Sequence, residues 1–263
     1  NVLIDRGEFC FPQLDIRLGY VFATVNQALS ERMRLAREDG RINTFYRYRN
    51  ALHAVERFAG NSISFDVVTA AWLSRCESFW KKEGKSPTTI NIYMRALRCI
   101  MRDAESRGVI KSGHLPFDRG GYRIPSPQPR KMDLSRADIL AIRGWKGDAR
   151  CEYWRDMWVF SYLCNGINFR DMLFLRRDCI VDGEITFVRS KTASSLKRPK
   201  VIRAPLLKEM VDIIERHGNG IRGPKEGMLF KHATGREKPQ EVINIVRNAI
   251  SSCNSAMKVI AHD

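Results

Sequence analysis

Residues 86 to 107 read SPTTINIYMRALRCIMRDAESR, and this stretch decides the fold of the first half of the chain. It opens with Ser86 and Pro87, a helix cap followed by a first-turn proline. Apolar residues then recur every three or four positions up to Met101, which predicts an amphipathic helix with one buried face. The opposite face carries three arginines at three- and four-residue spacing. These are Arg95, Arg98 and Arg102.

Three shorter apolar patterns, each closed by a glycine, precede this helix. They predict three more helices, the second of them capped by Asn43 or Thr44. Four helices with short connections predict a compact bundle over residues 18–110, after an N-terminal extension at residues 1–17. Residues 111–131 are rich in Pro and Gly and predict a stiff, extended linker at a domain boundary.

The second half, residues 132–263, mixes helix and strand patterns. An apolar-rich run over residues 153–163 predicts a buried helix. Asp182 and Gly183 stand between two short apolar runs, which is a strong signal for a β-hairpin, and residues 200–203 predict a third strand. The fold class predicted for the whole chain is mainly α with a small antiparallel sheet, an α+β arrangement.

Charge points to the class of partner. The 45 Lys and Arg against 29 Asp and Glu give a formal net charge of +16, and both halves carry the excess. Because a basic globular chain repels itself, a polyanionic partner such as nucleic acid is favoured over a merely basic soluble protein. In such a chain, a phosphate-contacting role for Arg95, Arg98 and Arg102 is about as well supported as a solvated helix face.

Several functional classes lose support from the sequence. No stretch approaches the roughly 20 apolar residues of a membrane span, and the charged N-terminal residues are not typical of a secretory signal. Seven scattered cysteines without a Cys-x-x-Cys pair indicate reduced thiols in a cytosol-like compartment. Glycine-rich phosphate loops, His-x-x-x-His spacing and carboxylate clusters are absent, so neither a nucleotide cofactor nor a metal is expected.

Two stretches carry a resemblance to a known family. Residues 158–173 read WVFSYLCNGINFRDML, and the hairpin that follows ends in the sequence Val-Arg-Ser-Lys-Thr at residues 188–192. This order resembles the catalytic domain of tyrosine recombinases, the phage-integrase family, and is most similar to integrases of Bacteroides-type mobile elements. Residues 89–98 fit the Thr-Ile-x-x-Tyr-x-Arg-x-Leu-Arg pattern of the family's helical core-binding domain. The resemblance spans roughly residues 18–260, so residues 132–263 correspond to the first part of the catalytic domain.

The resemblance implies a site-specific recombinase that cuts and rejoins DNA through a 3′-phosphotyrosine, with neither metal nor ATP. It implies that Lys191 is the general acid, although an exposed turn lysine is the alternative. Asn168 stands at the family's usual arginine position, so Arg170 and Arg155 are the candidates to replace that phosphate donor. Asp171 matches the family's acidic residue, which positions its neighbours; a helix N-terminal carboxylate is an equal alternative.

The family's nucleophilic tyrosine has no counterpart here, because none of the seven tyrosines lies in the C-terminal third. Its His-x-x-Arg box has none either, because no residue stands at the arginine position after His262. The chain is therefore expected to bind double-stranded DNA without cutting it. The resemblance implies a longer intact enzyme that acts as a homo-tetramer on DNA in the bacterial cytoplasm. Residues expected to contact DNA near the hairpin are Lys197, Arg198 and Lys200.

Two alternatives remain open. A non-catalytic DNA-binding regulator with recombinase architecture is favoured by Asn168 and by the missing tyrosine. An RNA-binding helical protein would need exposed aromatic rings for base stacking. The aromatic residues of the first half have the spacing of a buried core instead; they are Trp72, Phe79, Trp80 and Tyr93.

Overall fold

The computed structural model describes residues 22–111, 113, 115–126, 133–193, 198 and 200–263, with only the backbone of Thr192. The chain divides into two compact units, Asn1–Arg130 and Lys131–Asp263. Both are dominated by helices, and the described part of the chain contains one three-stranded antiparallel sheet. The predicted fold class is confirmed.

The first unit contains four helices in its described residues. They are α1 (Val25–Glu38), α2 (Ile42–Ala59), α3 (Ala70–Lys82) and α4 (Pro87–Ser106), with a 3₁₀ turn at Phe65–Val67. Helix α2 packs against the other three, and α4 also packs against α1 and α3. The first predicted helix begins before residue 22, and that beginning lies outside the described residues.

Local sequence sets the start of α3 and α4. The Thr69 and Ser86 hydroxyl oxygens each accept a backbone N–H from the first turn of the helix that follows. The predicted cap of α2 at Asn43 or Thr44 is wrong, because Arg41 is the N-cap and makes no side-chain capping bond. Backbone N–H groups of Thr44 and Phe45 already donate to the Arg41 carbonyl, so the helix starts earlier.

The buried faces of the four helices form one core. Its fully buried members come from every helix and include Leu29, Val55, Leu73, Trp80, Met94 and Leu97. Trp80 also donates its indole N–H to the Ala54 carbonyl, 3.0 Å away. Trp72, Trp80 and Tyr93 are buried and Phe79 is partly buried, in agreement with the core spacing noted in the sequence.

Part of the Pro- and Gly-rich segment packs on this core. Leu115 and Tyr122 are buried in it, and Phe117 and Ile124 pack against it. The Tyr122 backbone N–H donates to the Pro116 carbonyl, 2.7 Å away, which closes a turn. Residues 115–125 are therefore folded onto the helices, a packing that composition alone did not predict.

The second unit surrounds a central helix. Its elements in the described residues are α5 (Arg136–Gly144), α6 (Ala149–Leu163), α7 (Phe169–Leu173), β1 (Ile180–Val181), β2 (Glu184–Val188), α8 (Ser190–Ala193), β3 (Val201–Pro205), α9 (Lys208–His217) and α10 (Pro239–His262). Helix α6 packs against α5, α9 and α10, and α10 also packs against α7. The predicted buried helix at 153–163 is confirmed as the C-terminal part of α6.

The sheet has the order β1-β2-β3, antiparallel throughout. The β1–β2 turn is formed by Asp182 and Gly183, with φ of 51° and 75°. Positive φ at both turn residues is what a tight hairpin of this kind needs, and the predicted hairpin is confirmed. Ile185 and Ala204 pair across β2 and β3 and are fully buried on the core side.

Helices of the described residues are all too short or too polar to span a bilayer. The same residues contain no group of three or more His, Cys, Asp and Glu side chains suited to holding a metal ion.

Candidate nucleic-acid interface

A basic concavity lies on the first unit beside α4. Arg95, Arg98 and Arg102 line it together with Arg47 from α2, and its volume is about 340 Å³. No acidic side chain lines it among the described residues. The structure therefore brings the three predicted arginines together and adds a fourth, in an arrangement suited to guanidinium contacts with phosphate oxygens.

The other residues that line this concavity are Tyr48, Ala96 and Cys99. Tyr48 donates its hydroxyl hydrogen to the Cys99 sulfur, 3.2 Å away, and both residues line the concavity. Burial, together with this contact, raises the pKa of Tyr48 to about 12. The tyrosine thus stays protonated at neutral pH and adds no negative charge to the lining.

A second concavity, of about 360 Å³, lies next to the first and shares Arg98 with it. The loop at residues 117–124 supplies its other side, including Arg119 and Arg123, and Asp118 is its acidic lining residue. These two arginines lie in the segment that the sequence predicts as a linker, so they are absent from the predicted DNA contacts. No sequence signal places them beside Arg98, since that position depends on the turn through Gly121 and on the burial of Tyr122.

In the second unit, Lys191 lies in the short helix α8, directly after β2, and is exposed. The backbone N–H of the preceding residue, Ser190, donates to the Asp171 carboxylate, 3.1 Å from Oδ1. The segment that carries Lys191 is therefore tied to α7 by a charge-assisted hydrogen bond.

The same carboxylate holds Asn168. The Asn168 amide nitrogen donates to Asp171 Oδ2 at 2.5 Å, and Asn168 Oδ1 accepts the Asp171 backbone N–H at 3.1 Å. Asn168 is thus the N-cap of α7, and Asp171 is 91% buried in the first turn of that helix. The structure joins Asn168, Asp171 and Ser190 in one hydrogen-bonded group, and the catalytic role of Asp171 stays a prediction.

The two arginine candidates differ in their surroundings. Arg170 is exposed on α7, two residues beyond Asn168. Arg155 is only 4% exposed, and its guanidinium donates to Asp156 Oδ1 at 3.0 and 2.6 Å and to the Trp145 carbonyl. The contacts made by Arg155 are therefore internal to the fold, and Arg170 is the candidate with solvent access.

Asp156 is a buried carboxylate whose charged partners the sequence did not reveal. Its Oδ2 accepts hydrogen bonds from Arg216 at 2.6 Å and His217 at 2.8 Å. Burial raises the pKa of Asp156, but hydrogen bonds from Arg155 and His217 outweigh it and hold the pKa below its usual 3.8. The carboxylate ties α6 to the end of α9, which is a structural role.

The hairpin cations predicted to contact DNA are only partly described. Arg198 and Lys200 are exposed, just before β3. Lys197 lies outside the described residues. Their contact with phosphates stays a prediction.

Known proteins match this chain at the level of one domain and of the fold. Residues 24–123 match the family model of the phage integrase SAM-like domain, which covers the four helices and the loop at 117–123. No curated protein sequence matches the chain.

Solved structures resemble most of the chain. A lambda integrase tetramer bound to a Holliday junction aligns with 89% of this chain at a TM-score of 0.57 and 17% identity. The Tn1549 transposon integrase in complex with transposon right end DNA aligns with 77% of it at a TM-score of 0.54 and 19% identity. At such identities the similarity establishes the fold. This chain spans 64% of the length of the lambda integrase chain in the tetramer.

Proposed function

We propose that this chain is a DNA-binding part of a site-specific tyrosine recombinase, an integrase of a mobile genetic element. The observation that carries the proposal is the basic concavity of Arg47, Arg95, Arg98 and Arg102, which lies in a domain that matches the phage integrase SAM-like family. The ligand is double-stranded DNA, contacted mainly through its phosphates.

The proposed chemistry belongs to the second unit. In a phosphotyrosine mechanism, Lys191 would protonate the leaving 5′-oxygen, and guanidinium groups would stabilise charge on the phosphate. The exposure of Lys191 and its link through Ser190 to Asp171 support this role. Arg170 is the better-placed substitute for the missing arginine, because the Arg155 guanidinium is occupied by internal partners.

The intact enzyme is proposed to assemble as a homo-tetramer on DNA. Support comes from the fold shared with a lambda integrase that was solved as a tetramer on a Holliday junction. No cofactor is required by the proposed transesterification, since the phosphotyrosine bond conserves the energy of the cleaved phosphodiester.

A second candidate is a non-catalytic DNA-binding regulator with recombinase architecture. Asn168 favours it, because an amide that caps α7 and bonds Asp171 supplies no charge to a phosphate. The reading frame after the Asp263 codon separates the two candidates. A His-x-x-Arg box followed by a tyrosine supports the recombinase, and an immediate stop codon supports the regulator.

DNA binding is tested by measuring the affinity for a short mixed-sequence duplex across about 50 to 200 mM salt. The triple variant Arg95→Ala, Arg98→Ala, Arg102→Ala should bind much more weakly, and the slope of log K against log salt should shrink by about three. A single-stranded RNA competitor of equal length should displace the duplex poorly.

The matched control removes three charges from α3 and the turn after it instead, through Arg75→Ala, Lys82→Ala and Lys85→Ala. None of these residues lines the concavity, so the control should keep the slope of the parent chain. An equal loss of affinity in both variants would indicate general electrostatic attraction. If RNA displaced the duplex more strongly than competing DNA does, the RNA-binding alternative would be favoured.

A further inference from the structure

The loop at residues 115–126 presents two exposed arginines in a fixed position. Arg119 and Arg123 border a concavity whose opposite wall is Arg98, and Arg98 also borders the first concavity. The two concavities are lined by six arginines in total, Arg98 being common to both, and Asp118 is the acidic residue among the described lining residues. The arginines available to a polyanion therefore extend beyond the one face of α4 that the sequence indicated.

The loop is held on the helices by specific contacts. Tyr122 is buried, and its hydroxyl donates to the Glu77 carboxylate of α3. The Asn91 amide of α4 donates to the Pro125 carbonyl, 2.5 Å away. A side chain at Gly121 would place its Cβ 2.4 Å from the Pro116 carbonyl oxygen, so the turn admits only glycine.

In the contact between Tyr122 and Glu77, the proton stays on the Tyr122 hydroxyl at neutral pH. Burial and the bond to Glu77 raise the pKa of Tyr122. Burial also raises the pKa of Glu77, but hydrogen bonds from Lys81 and Tyr122 outweigh it and lower the pKa below 4.5. A protonated phenol therefore donates to an ionised carboxylate, the stronger type of hydrogen bond.

We infer that residues 115–126 belong to the DNA-binding surface of the first unit, where Arg119, Arg123 and Arg98 form a second phosphate-binding subsite positioned by Tyr122 and Glu77. This inference rests on the proposed function. The ligand is the phosphate backbone of duplex DNA, and Arg98 is shared by the two adjacent subsites. Arg119 and Arg123 contact phosphate, whereas Tyr122 acts through them as a positioning residue.

The experiment measures duplex affinity against salt for the full chain and two variants. The double variant Arg119→Ala, Arg123→Ala should reduce the salt slope by about two and weaken binding at least tenfold at low salt. Tyr122→Phe keeps both arginines and the buried ring but loses the bond to Glu77, so its slope should lie between those of the parent and the double variant. Arg75→Ala, Lys82→Ala is the charge-matched control and should keep the parent slope.

Each result decides a separate point. If the parent chain shows no salt-dependent duplex binding, the proposed function fails and the second subsite fails with it. If the parent binds and the Arg119→Ala, Arg123→Ala slope equals that of the parent, the second subsite alone is overturned. If that slope falls while Tyr122→Phe matches the parent, the positioning role of Tyr122 is overturned.

Discussion

Two pairs of arginines, one pair in each unit, lie in opposite environments. In the first unit, Arg95 and Arg98 border an open concavity without an acidic lining residue in the described part of the chain. In the second unit, Arg155 is buried against Asp156, and Arg177 donates to the Asn219 and Gly220 carbonyls. Guanidinium groups of the first kind are available to a polyanion, whereas Arg155 and Arg177 stabilise the fold.

This difference shows why net charge alone does not locate an interface. A formal charge of +16 indicates a polyanionic partner but treats every arginine alike. The partner that each guanidinium already has decides whether it can bind phosphate, and only a folded chain shows those partners.

The largest effect is expected at Asp156. Asp156→Ala should lower the free energy of unfolding by about 3–5 kcal/mol, because it leaves the buried Arg155 guanidinium without its counter-charge. Urea denaturation followed by circular dichroism measures the loss. Arg216→Ala is the control and should cost about 1 kcal/mol or less, since that side chain is 57% exposed. Equal costs for the two variants would show that the pair of Asp156 with the buried Arg155 stabilises the fold no more than its pair with the exposed Arg216.

A smaller effect is expected at Asn168. Asn168→Ala removes the N-cap of α7 and the amide donor to Asp171, and should cost about 1–2 kcal/mol. Asn168→Ser retains a capping oxygen and should cost less. The same denaturation assay compares them. If Asn168→Ala proves neutral in stability, the amide has no structural role and direct contact with a ligand gains support.

The smallest effect depends on pH and belongs to His232. Burial lowers the pKa of His232 below 6.5, and its Nε2 lies 2.5 Å from the Tyr153 hydroxyl. The His232 imidazole therefore binds a proton more readily in the unfolded chain than in the folded one. The free energy of unfolding should fall as the pH drops through about 6.5. His232→Gln should show a smaller decrease in thermal midpoint between about pH 7.5 and 5.5. An unchanged decrease in the variant would assign the effect to another group.

Sequence patterns were most reliable where local chemistry sets the structure. The Ser86 cap and the apolar spacing that follows predicted α4 within a residue or so, and Asp182-Gly183 predicted the hairpin. Both depend on bonds between residues near in sequence. The start of α2 was misplaced because the Arg41 carbonyl is satisfied by backbone groups alone, without a capping side chain.

Contacts between residues distant in sequence could not be predicted in this way. Asp156 contacts Arg216 and His217, which are 60 and 61 residues away in sequence, and Tyr122 contacts Glu77, which is 45 residues away. No periodicity or motif encodes such pairs. The role of Arg155 as an internal ion-pair partner therefore became evident only from its burial.

The sequence by itself determined the helical first half, the small antiparallel sheet, the basic character and the arginines along one face of α4. Caps, turns, apolar spacing and charge are properties of short stretches, so they can be read without a fold. Tertiary structure decided that Arg119 and Arg123 join Arg98, and that Asp171 links Asn168 to the segment of Lys191. These groupings arise because packing of the core brings distant segments together, and packing is a property of the whole chain.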